Sequence, residues 1–169
     1  MEHKLKPISK SGVAEAISKV ELYRYLNEPE EAESICRDIL AVDPDNQLAR
    51  RLLGLAITDQ FTGDLSDRHG EVQTIFQTLT DPYERLYYMG LLHYRRAKAQ
   101  LRTGRPPHTI YVLLEQAMRC FEQAEQIRPP ENDDAILRWN RCVRLLETLP
   151  ASASEREFEF FEAGDSPPI

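Results

Sequence analysis

The sequence has few helix-breaking glycines and no long hydrophobic run. It contains 7 glycines among 169 residues, and its longest apolar stretch runs from Leu52 to Ile57. A membrane-spanning helix needs roughly 20 apolar residues. The lysines near the N-terminus are not followed by an apolar segment, so we expect no signal peptide and no membrane partner.

A run of basic residues is also missing. The chain has 28 acidic and 21 basic residues, which gives a formal net charge of -7. Proteins that bind nucleic acid without sequence preference depend on clustered Lys and Arg to neutralise phosphates. The charge balance therefore argues against nucleic acid as a partner.

The chain has little cysteine, and no catalytic motif stands out. Cys36, Cys120 and Cys142 are an odd number, each on an apolar helical face and without metal-ligand spacing. They are typical of small buried residues in a reducing cytoplasm. The sequence contains no Gly-rich phosphate loop and no HExxH or GxSxG motif. We expect no enzyme, no metal and no cofactor.

What the sequence does contain is apolar residues at helical spacing. Seven segments carry stripes at i, i+3, i+4 and i+7, and no segment alternates like a strand, so the fold class is predicted to be all-α. Asp81, Pro82 and Glu84 form a predicted capping box at the start of the fifth helix. We divide the chain into a flexible lead-in (1–11), a helical domain (12–149) and an acidic tail (150–169).

Two parts of the helical domain share one spacing of small, large and proline residues. The first has Ala32, Cys36, Ile39 and Pro44, and the second has Ala117, Phe121, Ala124 and Pro129. Together with Leu53-Gly54 and Met89-Gly90, this pattern resembles the tetratricopeptide repeat (TPR) family over roughly residues 13–149. The resemblance implies about three antiparallel helix pairs, stacked as a short right-handed solenoid with a C-terminal capping helix. A generic antiparallel helical bundle is the alternative.

The resemblance also implies a binding groove. In that family the first helix of each pair lines a concave face that holds an extended peptide. The matching positions in this chain are Ile17, Glu21, Arg24, Tyr25, Leu48, Arg51, Leu55, Thr58, Tyr87, Leu91, Tyr94, Arg95, Asn140 and Arg144.

The fifth helix carries two apolar faces. Tyr83, Tyr87, Leu91 and Tyr94 share one of them, and a second apolar set lies opposite. Such a helix either is buried on both sides or presents one face to a ligand. Tyrosine and arginine are enriched in binding hot spots, which favours a partner site. The alternative is that these tyrosines pack beneath the sixth helix.

The acidic tail is a second candidate region. It alternates acidic residues with Phe158, Phe160 and Phe161, a pattern typical of short linear motifs, and is predicted to be disordered when alone. We expect it either to dock in the groove, its own or a neighbour's, or simply to increase solubility.

The leading functional hypothesis is a cytoplasmic, non-enzymatic adaptor or scaffold that binds a protein or peptide in the groove. One alternative is a structural or regulatory subunit of a larger assembly, and another is a dedicated bacterial chaperone of the TPR type. A homodimer through the tail or the terminal helices is also compatible with the sequence.

Overall fold

A computed structural model describes residues 2–150, and over that range the chain is all-helical, without strands. The predicted all-α class is therefore confirmed. A 3₁₀ turn at Lys10–Gly12 precedes seven α-helices: α1 (Val13–Tyr25), α2 (Pro29–Val42), α3 (Gln47–Asp59), α4 (His69–Gln77), α5 (Pro82–Arg102), α6 (Pro107–Gln126) and α7 (Asp134–Leu146). Within these residues, no helix combines the length and apolar character needed to cross a bilayer.

Local chemistry explains where α5 begins. Pro82 occupies the first turn, and the Asp81 carboxylate accepts a hydrogen bond of 2.8 Å from the backbone N–H of Tyr83. Glu84 does not complete the expected capping box. Its carboxylate accepts a 2.7 Å bond from Arg51 of α3 instead, because an ion pair with a neighbouring helix is available.

The helices pack mainly in the order of the chain. Each helix contacts the next, and α1 also contacts α3, α3 contacts α5, and α5 contacts α7. The odd-numbered helices thus form a continuous row. The helices of the pair α5 and α6 have 21 and 20 residues and are longer than the others.

Two clusters of buried side chains form the core. The first joins α1 to α4 and includes Leu92 and Ala99 of α5. The second joins α5, α6 and α7 and includes Leu91 and Tyr94 of α5. Helix α5 is therefore buried on both sides, one of the two outcomes expected from its two apolar faces.

Ordered packing begins before residue 12. Ile8 packs against the first cluster, and the Ser9 hydroxyl accepts a 3.1 Å hydrogen bond from the backbone N–H of Gly12. The last part of the predicted lead-in thus contacts the helical domain, because the apolar Ile8 side chain reaches a hollow beside α1. The tail motif Phe158, Phe160 and Phe161 lies outside the described residues.

Candidate functional site

The row of odd-numbered helices carries a cleft whose floor is an arginine pair around one carboxylate. Asp59, the last residue of α3, accepts a 2.7 Å bond from Nε of Arg24 in α1. Arg95 of α5 pairs with the same carboxylate and donates a 2.8 Å bond to the hydroxyl of Thr58. The single carboxylate of Asp59 thus forms ion pairs with two guanidinium groups. Burial lowers the pKa of Arg95, although Asp59 opposes that shift.

The wall of the cleft is built around the ring of Tyr94. The Lys98 ammonium lies 5.7 Å from the ring centroid, and the guanidinium carbon of Arg138 lies 5.8 Å from it. Cations at this distance are attracted to the face of an aromatic ring. Nε of Arg138 also points to the hydroxyl of Tyr87, at 3.4 Å. Through these contacts, Lys98 of α5 and Arg138 of α7 lie at the same surface.

Helical spacing explains why α5 supplies so much of the cleft. Positions 94, 98 and 102 are four residues apart and lie along one face of the helix. Helix α7 adds Arg138 across from them, since α7 packs on α5. The cleft has a volume of about 310 Å³ and is lined by Arg24, Asn27, Thr58, Asp59, Tyr94, Arg95, Lys98, Arg102 and Arg138. We call this set the basic cleft.

The basic cleft has a charge opposite to that of the chain as a whole. Five cationic side chains and one carboxylate line it, while the protein carries a net charge of -7. Among residues 2–150, no ion pair involves Lys98, Arg102 or Arg138. Desolvation lowers the pKa of Lys98, and the neighbouring arginines lower it further. An anion bound here would relieve repulsion among crowded cations.

The structure brings together some of the groove residues expected from the sequence and separates others. Arg24, Thr58, Tyr94 and Arg95 line the basic cleft. Tyr87 stacks on Tyr83, with ring centroids 5.9 Å apart, and packs against the second cluster together with Leu55.

Other expected groove residues lie outside the basic cleft. Leu91 is only 4% exposed and belongs to the second cluster; Tyr94, which does line the cleft, is equally buried. Ile17 packs against the first cluster, and Tyr25 is 88% exposed on α1. Arg51 is paired with Glu84 of α5. The four remaining members are exposed: Glu21, Leu48, Asn140 and Arg144.

Three cations of the basic cleft were not among the expected groove residues: Lys98, Arg102 and Arg138. The four-residue spacing of Tyr94, Lys98 and Arg102 was a signal that could have identified two of them. Arg138 had no comparable signal, because its contact with Tyr94 depends on how α7 packs.

Two other hollows have a different character. One lies at the loop between α3 and α4, where Asp64 and Asp67 balance Arg96 and Arg105; Arg105 and Asp64 are 3.4 Å apart. The other is a mostly apolar hollow beside α1 and α2, about 330 Å³ in volume. The first hollow has balanced charge, and the second has one lysine, Lys19, beside Glu15 and Asp38, so the basic cleft is the stronger candidate site for an anion.

No group of three or more His, Cys, Asp or Glu side chains within residues 2–150 is arranged to hold a metal ion. The buried cysteines are unreactive by environment, since burial raises the pKa of Cys36 to about 12 and that of Cys142 to about 11. Comparisons with protein-family models, with curated proteins and with solved structures find no match to this chain.

Proposed function

We propose that this protein is a non-enzymatic adaptor that binds an acidic peptide segment of a partner protein in the basic cleft. The observation that carries this proposal is the group of five cationic side chains around a single carboxylate in a protein of net charge -7. A carboxylate-rich peptide would pair with Lys98, Arg102 and Arg138, and its apolar or aromatic side chains would rest against the neighbouring helix surfaces.

The charge distribution favours a peptide over a nucleic acid. A long polyanion would extend past the cleft onto a surface with excess negative charge, and repulsion there would oppose binding. A short acidic segment meets only the local positive potential. The partner in this proposal is therefore a protein, and neither a nucleic acid nor a membrane.

The proposal includes a TPR-like stacking of helix pairs in a right-handed solenoid. Contacts among α1, α3, α5 and α7 support it, because first helices line the inner row in such arrays. Reduced, buried cysteines support a cytoplasmic location as a further part of the proposal.

A test uses the full chain and a fluorescein-labelled synthetic peptide that alternates Glu and Phe. We expect Lys98→Glu to weaken binding about tenfold or more, measured by fluorescence anisotropy, because a charge reversal places two like charges in contact. Rising salt should weaken binding to the wild type as well. Circular dichroism would establish that the variant is folded.

Arg119→Glu is the matched control, since Arg119 is exposed on α6 and the substitution makes the same change in charge. It should leave the affinity within about twofold, because surface charges far apart are screened by salt. Equal affinity losses in the two variants, or equal binding of a peptide with Gln in place of Glu, would reject the basic cleft as the site.

One observation favours the alternative of a subunit in a larger assembly. The end of helix α1 exposes Leu22 at 49% and Tyr25 at 88%, and Leu26, which follows the helix, is 52% exposed. These apolar side chains at the end of the array would suit a permanent interface. A Leu22→Glu/Leu26→Glu variant that leaves the mass in solution and the partner affinity unchanged would argue against it.

A further inference from the structure

The acidic tail carries negative charge, opposite to the positive charge of the basic cleft. Residues 151–169 contain five acidic residues and one arginine; Arg156 separates Glu155 from Glu157, and Phe158 separates Glu157 from Glu159, which is followed by Phe160. In an extended chain, alternate side chains project to the same side and recur about every 6.6 Å. In an extended conformation the segment would therefore carry Glu155, Glu157 and Glu159 on one edge and Arg156, Phe158 and Phe160 on the other.

The spacing of that carboxylate edge matches the spacing of cations along α5. Lys98 and Arg102 are one helical turn apart, about 6 Å along the axis at 1.5 Å per residue. An extended segment lying along α5 would thus bring successive carboxylates next to successive cations. The guanidinium carbon of Arg138 of α7 lies 5.8 Å from the centroid of the Tyr94 ring, and this side chain would meet a third carboxylate.

The described chain ends within reach of the cleft. Leu149 packs against the second cluster, and the hydroxyl of Tyr111 donates a 3.2 Å bond to the carbonyl of Pro150. Pro150 lies twelve residues after Arg138, which is about 18 Å along a helix. Residues 151–155, when extended, span about 17 Å. These two lengths are nearly equal. Glu155 is therefore the first tail carboxylate that can reach Arg138 if the tail runs back along α7.

We infer that the segment around Glu155, Glu157 and Glu159 of the same chain occupies the basic cleft and must leave before a partner can bind. Attachment to α7 through a few residues gives this segment an effective concentration in the millimolar range. A dissociation constant below about 1 mM for the free segment is then enough to keep the cleft occupied, and contacts of the phenylalanine side chains would add to the ion pairs. This inference rests on the proposed function for its regulatory meaning, because the displaced segment would compete with the partner's acidic peptide.

Zero-length carbodiimide cross-linking of the full-length wild-type chain tests the contact. Lys98 is the one lysine that follows Lys19 in the sequence. We expect an amide bond between Lys98 and Glu155, Glu157 or Glu159 in the monomer band, identified by mass spectrometry. The pair Lys19 and Glu15, whose charged groups are 3.5 Å apart, is the internal positive control.

Two variants make the result specific. Arg102→Glu/Arg138→Glu keeps the reactive Lys98 and should reduce the cross-link at least fivefold, while Arg119→Glu should leave its yield unchanged. Cross-links from the tail carboxylates to Lys4, Lys6 or Lys10 instead of Lys98 would overturn the inference. So would the absence of any cross-link from the tail to a lysine in a sample in which the Lys19–Glu15 cross-link forms. A Lys98 cross-link found only in a dimer band would overturn it too, since the occupant would then be a second copy.

A binding measurement separates this inference from the proposed function. Neutralising the segment with Glu155→Gln/Glu157→Gln/Glu159→Gln should raise the affinity for the labelled Glu–Phe peptide about tenfold. If the cross-link is missing but peptide binding still depends on Lys98, the inference alone fails. If the cross-link forms but the neutralised variant binds no peptide, the proposed function fails and the intramolecular contact stands.

Discussion

Glu33 shows how a single carboxylate can join three helices. It belongs to α2 and accepts hydrogen bonds of 2.7 Å from both terminal nitrogens of Arg68, at the start of α4. Gln60, which follows α3, donates another at 2.7 Å, and Arg37 donates one at 2.6 Å. Chiefly through the bond from Arg68, these contacts lower the pKa of Glu33 from 4.5 to about 2.

This shift predicts how stability depends on pH. Because the folded-state pKa lies below the unfolded value, Glu33 stabilises the fold fully above about pH 5, and the contribution is lost as the pH falls from about 4.5 to about 2. We expect Glu33→Gln to unfold at lower urea concentration at pH 7 and to lose less stability than the wild type down to pH 2.5.

Urea denaturation at pH 7, 4 and 2.5 would measure the effect. Glu30→Gln, at an exposed position in the first turn of α2, is the matched control and should keep the wild-type pH dependence. Parallel curves for the wild type and Glu33→Gln at all three pH values would contradict the prediction.

At the scale of elements, a glycine facing a phenylalanine recurs in two helix pairs. A methyl group added at Gly54 of α3 would lie 2.2 Å from Cε1 of Phe76 in α4. One added at Gly90 of α5 would lie 2.7 Å from Cε1 of Phe121 in α6. Both rings are fully buried, so neither can move aside cheaply. Each glycine thus permits close approach between the two helices of a pair.

We therefore expect Gly54→Ala and Gly90→Ala to lower the free energy of unfolding by about 1–3 kcal/mol, with the larger loss at Gly54. Alanine normally stabilises a helix relative to glycine, so the sign is the informative part of the result. Gly70→Ala in α4, where nothing lies within 4 Å of the added methyl, should raise stability by about 0.5–1 kcal/mol. Thermal or urea denaturation of the three variants would show whether the signs differ as expected.

At the scale of the whole molecule, α5 connects the two core clusters. Leu92 contributes to the first cluster and Leu91 to the second, and Tyr88 packs against both. Phe76 of α4 and Tyr88 have ring centroids 5.3 Å apart, and Tyr87 and Phe121 of α6 have centroids 5.9 Å apart. Adjacent rings on α5 thus contact the helix pairs on either side, which favours unfolding as one unit.

Because α5 connects the clusters, a substitution that destabilises one cluster should also lower the unfolding midpoint of the other. Leu79→Ala removes a side chain that is 1% exposed in the first cluster and should cost about 2–5 kcal/mol. The only tryptophan, Trp139, packs against the second cluster and reports on it by fluorescence. We expect the fluorescence midpoint to fall together with the midpoint from far-UV circular dichroism. A fluorescence midpoint that stays at the wild-type value would show that the clusters unfold independently.

Local signals in the sequence specify the helices and many of the buried positions. Apolar periodicity, Pro29 and Pro82 at first-turn positions and the Asp81 cap are local signals, since they act within one or two turns of the chain. Ala32 and Ala117, the small residues of the repeated spacing, are both fully buried.

Helix packing determines which face of α5 is covered and which cations lie together in the basic cleft. The apolar pattern allowed Leu91 and Tyr94 to face a partner or the core, and packing of α6 and α7 buried them. Exposed arginines and lysines are common on helices, so no local signal marked Arg138 for the cleft. Its place beside Tyr94 depends on contacts between residues 44 positions apart, which arise only when helices pack.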